Sequence, residues 1–151
     1  MAVEVGDVAP DFELADQHGV PFRLSGLRGA HHVLLVFYPL AFSGVCAGEL
    51  RALRDGLTSL GPDTRVAAVS VDSMFALRAW ADRDGFSFPL LSDFWPHGEV
   101  ARAYGVFDDD RGTAARGTFV IDREGVVRWK VVNAISEPRA MDEYRKALAT
   151  L

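Results

Sequence analysis

The sequence predicts an α/β fold: a central mixed β-sheet flanked by helices, with an N-terminal β-hairpin ahead of it. Three observations carry that expectation. Apolar strand-like runs alternate with helical stripes through most of the chain, a hairpin signal follows them, and a tail that reads as a helix closes the sequence. Alternation of strand and helix builds parallel strands joined by crossover helices, and a late hairpin adds antiparallel ones.

The elements follow in order. Pro10-Asp11-Phe12-Glu13-Leu14 and Val20-Pro21-Phe22-Arg23-Leu24 alternate apolar and polar residues around Asp16-Gln17-His18-Gly19, as the arms of a hairpin do. Val33-Leu34-Leu35-Val36-Phe37 is an unbroken apolar run and reads as a buried strand. After Pro39 a helix is expected, with Leu50, Leu53, Leu57 and Leu60 on one stripe and Cys46 on the same stripe. A second strand-to-helix unit spans residues 65–71 and 75–84, with Ser73 as its N-cap. Pro89-Leu90-Leu91 is a short apolar piece, and residues 98–104 read as a helix. Residues 117–121 and 126–132 flank Asp122-Arg123-Glu124-Gly125, a strong hairpin signal, and residues 140–151 read as the closing helix. Asp108-Asp109-Asp110 reads as a solvated loop.

Length and composition bound the function. A chain of 151 residues with no repeat, low-complexity tract or linker suits one domain over residues 1–151. Hydrophobic residues at 49% and charged residues at 25% are ordinary for a globular protein and argue against disorder. A net charge of -5 with scattered basic residues makes nucleic acid a poor partner. The apolar runs are too short to cross a bilayer and the first residues lack a secretory pattern, so a cytoplasmic protein is expected.

Cys46 is the only cysteine, and it stands just after the buried strand breaks at Pro39 into a helix. A thiol in a first helical turn meets free amide N–H groups and the positive end of the helix dipole, both of which favour its thiolate. The alternative is an inert core thiol, since cysteine is often buried and Cys46 shares its stripe with leucines. Thioredoxin-type dithiol exchange needs Cys-x-x-Cys, and Ser43-Gly44-Val45-Cys46 offers a hydroxyl in place of the first sulfur. The histidines are poorly placed to share a metal and no glycine-rich phosphate loop is present, so no metal or cofactor is expected.

The spacing Pro39, Ser43, Cys46 with Glu49 after it resembles the active-site signature of the peroxiredoxins. Gly6-Asp7-Val8-Ala9-Pro10-Asp11-Phe12, residues 34–50, residues 89–98, Ala103-Tyr104-Gly105-Val106 and residues 116–122 extend the likeness across nearly the whole chain. The likeness is greatest to the one-cysteine alkyl hydroperoxide reductase E group, known mainly from actinobacteria. It implies a thioredoxin-like fold and a thiol peroxidase that reduces hydrogen peroxide, organic hydroperoxides and peroxynitrite. In that chemistry the Cys46 thiolate attacks a peroxide oxygen and becomes a sulfenic acid.

The resemblance also implies roles. Ser43 would hydrogen-bond the peroxide and the thiolate, Arg116 would hold a cation beside both, Pro39 would shield the sulfur from water, and Glu49 would fix the Arg116 guanidinium. Each has a blander alternative: Ser43 as a helix cap, Pro39 as a strand terminator, Arg116 and Glu49 as solvated charges. Serine at 43 replaces the family's commoner threonine, and no second cysteine can resolve the sulfenic acid. The reductant must therefore be external, either mycothiol with a mycoredoxin or a thioredoxin-like protein. Family members form homodimers and higher assemblies, and Phe42, Phe94 and Trp95 are candidates for that contact, with core packing as the alternative. Two other functions suit the same scaffold: a peroxide sensor that relays oxidation to a protein partner, and a non-catalytic thioredoxin-fold interaction domain.

Overall fold

The computed structural model describes residues 3–133 and 141–151. In chain order these residues form β1 (Glu13–Ala15), β2 (Pro21–Arg23), β3 (His32–Phe37), α1 (Gly44–Gly56), β4 (Thr64–Ser70), α2 (Met74–Asp84) and β5 (Leu90–Ser92). There follow α3 (Glu99–Ala103), β6 (Phe107–Asp108), β7 (Thr113–Ala114), β8 (Arg116–Ile121), β9 (Val127–Asn133) and α4 (Met141–Ala149). Ala140, the expected start of the closing helix, lies outside the described residues.

The central sheet has five strands in the order β5-β4-β3-β8-β9. β3, β4 and β5 run parallel, and β8 and β9 are antiparallel to their neighbours. This is the expected mixed sheet, and the expected N-terminal hairpin is β1 paired with β2.

β3 explains why its sequence shows no polar alternation. Leu34 and Val36 pack into one core with α1, α2 and α4, whereas Val33, Leu35 and Phe37 pack into a second core with α3 and the N-terminal segment. Both faces are covered, so every position from Val33 to Phe37 is apolar. Ser73 caps α2 as expected, its hydroxyl accepting the Ala76 N–H at 3.2 Å, and Gly85 ends the helix in the left-handed region at φ 70.

Two details depart from the expected pattern. The leucine stripe changes pitch: α1 stops at Gly56, and Leu57–Leu60 form a 3-10 turn that still buries Leu60. Gly56 allows close approach there, because a Cβ at that position would meet the Met141 side chain at 2.8 Å. The acidic run is also more than a loop, since Asp108 ends β6 and the turn beyond it leads into β7, paired antiparallel with β6.

That small hairpin is braced from α3 and the loop just before it. His97 Nε2 lies 2.6 Å from the Gly112 carbonyl, Arg102 sits 4.0 Å over the Phe107 ring, and Arg102 pairs with Asp109 at 2.7 Å. Phe107 fits only because Gly98 has no side chain and holds φ at 71; a Cβ there would overlap the ring. Gly98→Ala combines left-handed strain with overpacking and is expected to cost about 2–4 kcal/mol, measured by equilibrium urea unfolding.

Candidate active site

The site is built where β3 ends. Parallel strands gather functional loops at their C-terminal ends, and here the antiparallel β8 begins at that same end of the sheet. Val36 lies opposite Thr118. Stepping back from Thr118 to Arg116 therefore matches stepping forward from Val36 to Tyr38, which brings Arg116 level with the loop that leads to Cys46.

Four of the expected site residues meet in one cavity. It has a volume of about 570 Å3 and is lined by Pro39, Leu40, Ser43, Gly44, Val45, Cys46, Arg111, Thr113 and Arg116. Cys46 sits in the first turn of α1, and that turn carries no acidic residue to oppose a thiolate. Its residue surface is buried within the core that also holds Leu50 and Leu53. Its neighbours are not all apolar, because a charged donor reaches it: Arg116 Nη2 lies 3.2 Å from Sγ.

Glu49 joins the site from behind. It is placed three residues after Cys46 on the same helix face, and its Oε1 accepts from Arg116 Nη1. Both partners are buried, at 7% and 1% exposure, so the reading of Arg116 and Glu49 as solvated charges is set aside. A buried guanidinium held by a carboxylate has its plane and reach fixed.

Ser43 takes the N-cap position of α1 by its backbone, but its side chain makes no capping bond. The hydroxyl instead donates to the Leu40 carbonyl at 2.8 Å, and no hydrogen bond joins it to the sulfur. With its proton committed there, the oxygen keeps lone pairs able to accept a further donor.

The loop between strand and helix is clamped from several sides. Ala41 N–H donates to Asp72 Oδ2 at 2.8 Å, and the Ser70 hydroxyl donates to the same oxygen at 2.6 Å. Phe42 holds φ at 66, the left-handed region that side chains resist. Its ring packs on Trp80 at 5.8 Å between centroids, with the Arg83 guanidinium 4.8 Å above it. Below the loop, burial pushes the Tyr38 phenol far above its ordinary range, with Asp72 and Cys46 adding to the effect. It therefore stays neutral beside the thiol.

Sequence reasoning missed Asp72, Arg111 and Thr113. Asp72 follows the C-terminal end of β4, where a functional loop is the standing expectation for parallel sheets. Arg111 and Thr113 carried no such signal, because only the fold of the small hairpin brings them to the cavity.

Comparison with known proteins bears on this geometry. The family model described as AhpC/TSA matches residues 5–130. Alkyl hydroperoxide reductase E of Mycobacterium tuberculosis is 50% identical over 150 residues, spanning 99% of this chain and 98% of the relative. The chain belongs to the AhpC/TSA family. Spinach chloroplastic 2-Cys peroxiredoxin BAS1, a more distant relative, is 37% identical over 158 residues, covering 97% of this chain and 59% of that protein. Among solved structures, Enterococcus faecalis AhpC superposes with a TM-score of 0.89 at 29% identity, covering 99% of this chain and 92% of that one. Peroxidoxin BcpB of Mycobacterium tuberculosis gives 0.87 at 31% identity, covering 99% and 98%. The expected thioredoxin-like fold is thus the one these peroxiredoxin structures share with this chain. Peroxide reduction by a thiol is the activity that the family membership supports, ahead of the sensor and interaction-domain readings.

Removing the carboxylate behind the guanidinium tests how the site is held. Glu49→Gln keeps the shape but replaces a charged acceptor, and is expected to lower stability by about 2–3 kcal/mol in equilibrium urea unfolding. An unchanged unfolding midpoint would contradict the tether.

Proposed function

We propose that this AhpC/TSA-family protein is a one-cysteine peroxiredoxin whose Cys46 thiolate reduces hydroperoxides. The observation that carries the reading is the 3.2 Å contact from Arg116 Nη2 to Cys46 Sγ at the wall of an accessible cavity. The thiolate attacks the terminal peroxide oxygen, the O–O bond breaks, and the departing oxygen takes a proton to leave as water or alcohol. Cys46 is left as sulfenic acid. One molecule of an external thiol then condenses with it to a mixed disulfide and water, and a second thiol releases Cys46 as its thiolate.

Acidity alone does not account for speed. Lowering a thiol pKa from about 8.5 to about 6 raises the thiolate fraction near physiological pH by little more than tenfold. A Brønsted slope of roughly 0.4–0.5 removes about as much in nucleophilicity. The rate must come from holding the peroxide in line and stabilising charge on the departing oxygen. In this reading Arg116 supplies the stabilising positive charge, and Ser43 Oγ accepts the peroxide O–H while its own O–H still donates to the Leu40 carbonyl. Pro39 keeps bulk water from the sulfur, and Glu49 keeps the guanidinium aimed.

Stopped-flow oxidation of the reduced protein by hydrogen peroxide tests the assignment. Cys46→Ser is expected to abolish the reaction. Arg116→Lys and Arg116→Ala are expected to slow it by about 10²–10³-fold, well beyond the change in thiolate fraction measured on the same proteins. Equal losses in rate and in ionisation would remove the transition-state role.

The external reductant is a small thiol such as mycothiol acting with a mycoredoxin, or a thioredoxin-like protein, in the reducing cytoplasm. A second copy of the chain covers the exposed aromatic loop residues. Phe42, Phe94 and Trp95 are 44%, 53% and 80% exposed, which favours an interface over core packing. Analytical ultracentrifugation is expected to show a dimer at micromolar concentration, and a strict monomer would count against that contact.

A further inference from the structure

We propose that Arg111 is a specificity-determining residue that selects among oxidants, favouring a hydroperoxide whose organic part carries a carboxylate over a neutral one of equal size. The inference rests on the peroxidase reading above and extends it to the chemistry of the substrate's far end.

The cavity has two chemical zones. Pro39, Leu40 and Val45 give it apolar walls, and its lining includes two arginines and no carboxylate. The two cations are in different states. Arg116 is buried and engaged by Glu49 and the sulfur, so its charge serves the reacting end. Arg111 stands at the opening with its side chain 64% exposed.

Arg111 is also only loosely engaged. Its nearest carboxylate contact is Asp108, from Nε to Oδ2 at a long 3.7 Å, and among the described residues its guanidinium makes no hydrogen bond. The neighbouring acids are occupied or face elsewhere: Asp108 Oδ1 accepts the Asp110 and Arg111 amide N–H groups, and Asp109 is held by Arg102 at 2.7 Å. Asp110 is exposed on the turn and does not line the cavity. A planar guanidinium with free donors suits a carboxylate, to which it can donate twice.

The position of this cation is set by the fold. Gly112, the next residue, takes φ 69, donates to the Asp108 carbonyl at 2.8 Å and meets His97 Nε2 through its own carbonyl at 2.6 Å. The turn is thereby fixed on the segment that leads into α3, and Thr113 beside it is buried in the cavity wall. An amphiphilic hydroperoxide could then meet Cys46 and Arg116 with its peroxide, the apolar wall with its chain, and Arg111 with its carboxylate.

The experiment compares three oxidants on reduced protein by stopped flow: a hydroperoxy alkanoic acid, its methyl ester, and hydrogen peroxide. In the unaltered protein the acid is expected to react faster than the ester, with the advantage shrinking as salt is added. The acid-to-ester rate ratio should fall by about three- to tenfold in Arg111→Gln, fall further in Arg111→Glu, and persist in Arg111→Lys. Using the ratio cancels any general change in Cys46 reactivity or folding. A ratio that Arg111→Gln and Arg111→Glu leave unchanged, in a protein that all three peroxides oxidise, overturns this inference alone. Failure of every peroxide to oxidise Cys46 overturns the peroxidase reading and this inference with it.

Discussion

A guanidinium buried against a sulfur is the constraint on which the rest of this structure depends. Arg116 is 1% exposed, and an arginine cannot shed its charge to escape the cost of burial. It must be surrounded by acceptors. Glu49 supplies one from α1 and Cys46 Sγ supplies another, so strand β8 and helix α1 are tied together through the site. A buried ion pair of this kind is a weak source of net stability, because desolvation offsets most of the attraction. An apolar pair of similar volume would hold β8 to α1 about as well. The ion pair therefore makes sense as a positioning device, which in the proposed reaction keeps a cation where charge would appear.

The loop before α1 obeys the same logic at the level of the backbone. Phe42 occupies a left-handed conformation that costs on the order of 1–3 kcal/mol unless its surroundings enforce it. Here the enforcement is visible: Trp80 and Arg83 hold the ring, Asp72 holds the preceding amide, and Ser43 holds the Leu40 carbonyl. The strain is carried in the loop that leads to Cys46 and counterbalanced by an aromatic cluster, in which Trp80 also contacts Tyr38 and Phe86. The sulfur's position is thus determined by contacts on both sides of the loop.

Legibility in the sequence followed the range of the interactions. β3, α2 with its Ser73 cap and the β8–β9 hairpin could be read because apolar periodicity, caps and turn residues act over a few neighbouring positions. Cys46 was marked by its place in the first turn of a helix after a buried strand, whereas Pro39, Ser43 and Glu49 were legible through the family resemblance that their spacing to Cys46 carries. Arg116 was legible only through family resemblance, since nothing near it in sequence indicates a partner 70 residues away. The β6–β7 hairpin was not readable at all. Its strands are two residues each, too short for a periodic signal, and they form because Gly98 admits Phe107 and His97 reaches Gly112. The Ser43 hydroxyl was likewise beyond reach, because whether it bonds a carbonyl or a sulfur depends on the turn made by Leu40, Ala41 and Phe42.

The electrostatics of the site also differ from those of the whole chain. With a net charge of -5 the protein repels anions at long range, yet its proposed chemistry forms a thiolate and a departing anionic oxygen, and carboxylate-bearing peroxides would themselves approach as anions. Screening resolves the conflict by distance. At physiological ionic strength the Debye length is about 8 Å, so scattered surface carboxylates fade over a few side-chain lengths, whereas charges inside a low-dielectric cavity are screened far less. The lining of that cavity is cationic, through Arg111 and Arg116. Local placement therefore outweighs overall balance, and an acidic protein can present a site suited to negative charge. Glu49 is compatible with this because it stands behind Arg116 and outside the lining. Its charge moderates the guanidinium without facing the incoming oxidant.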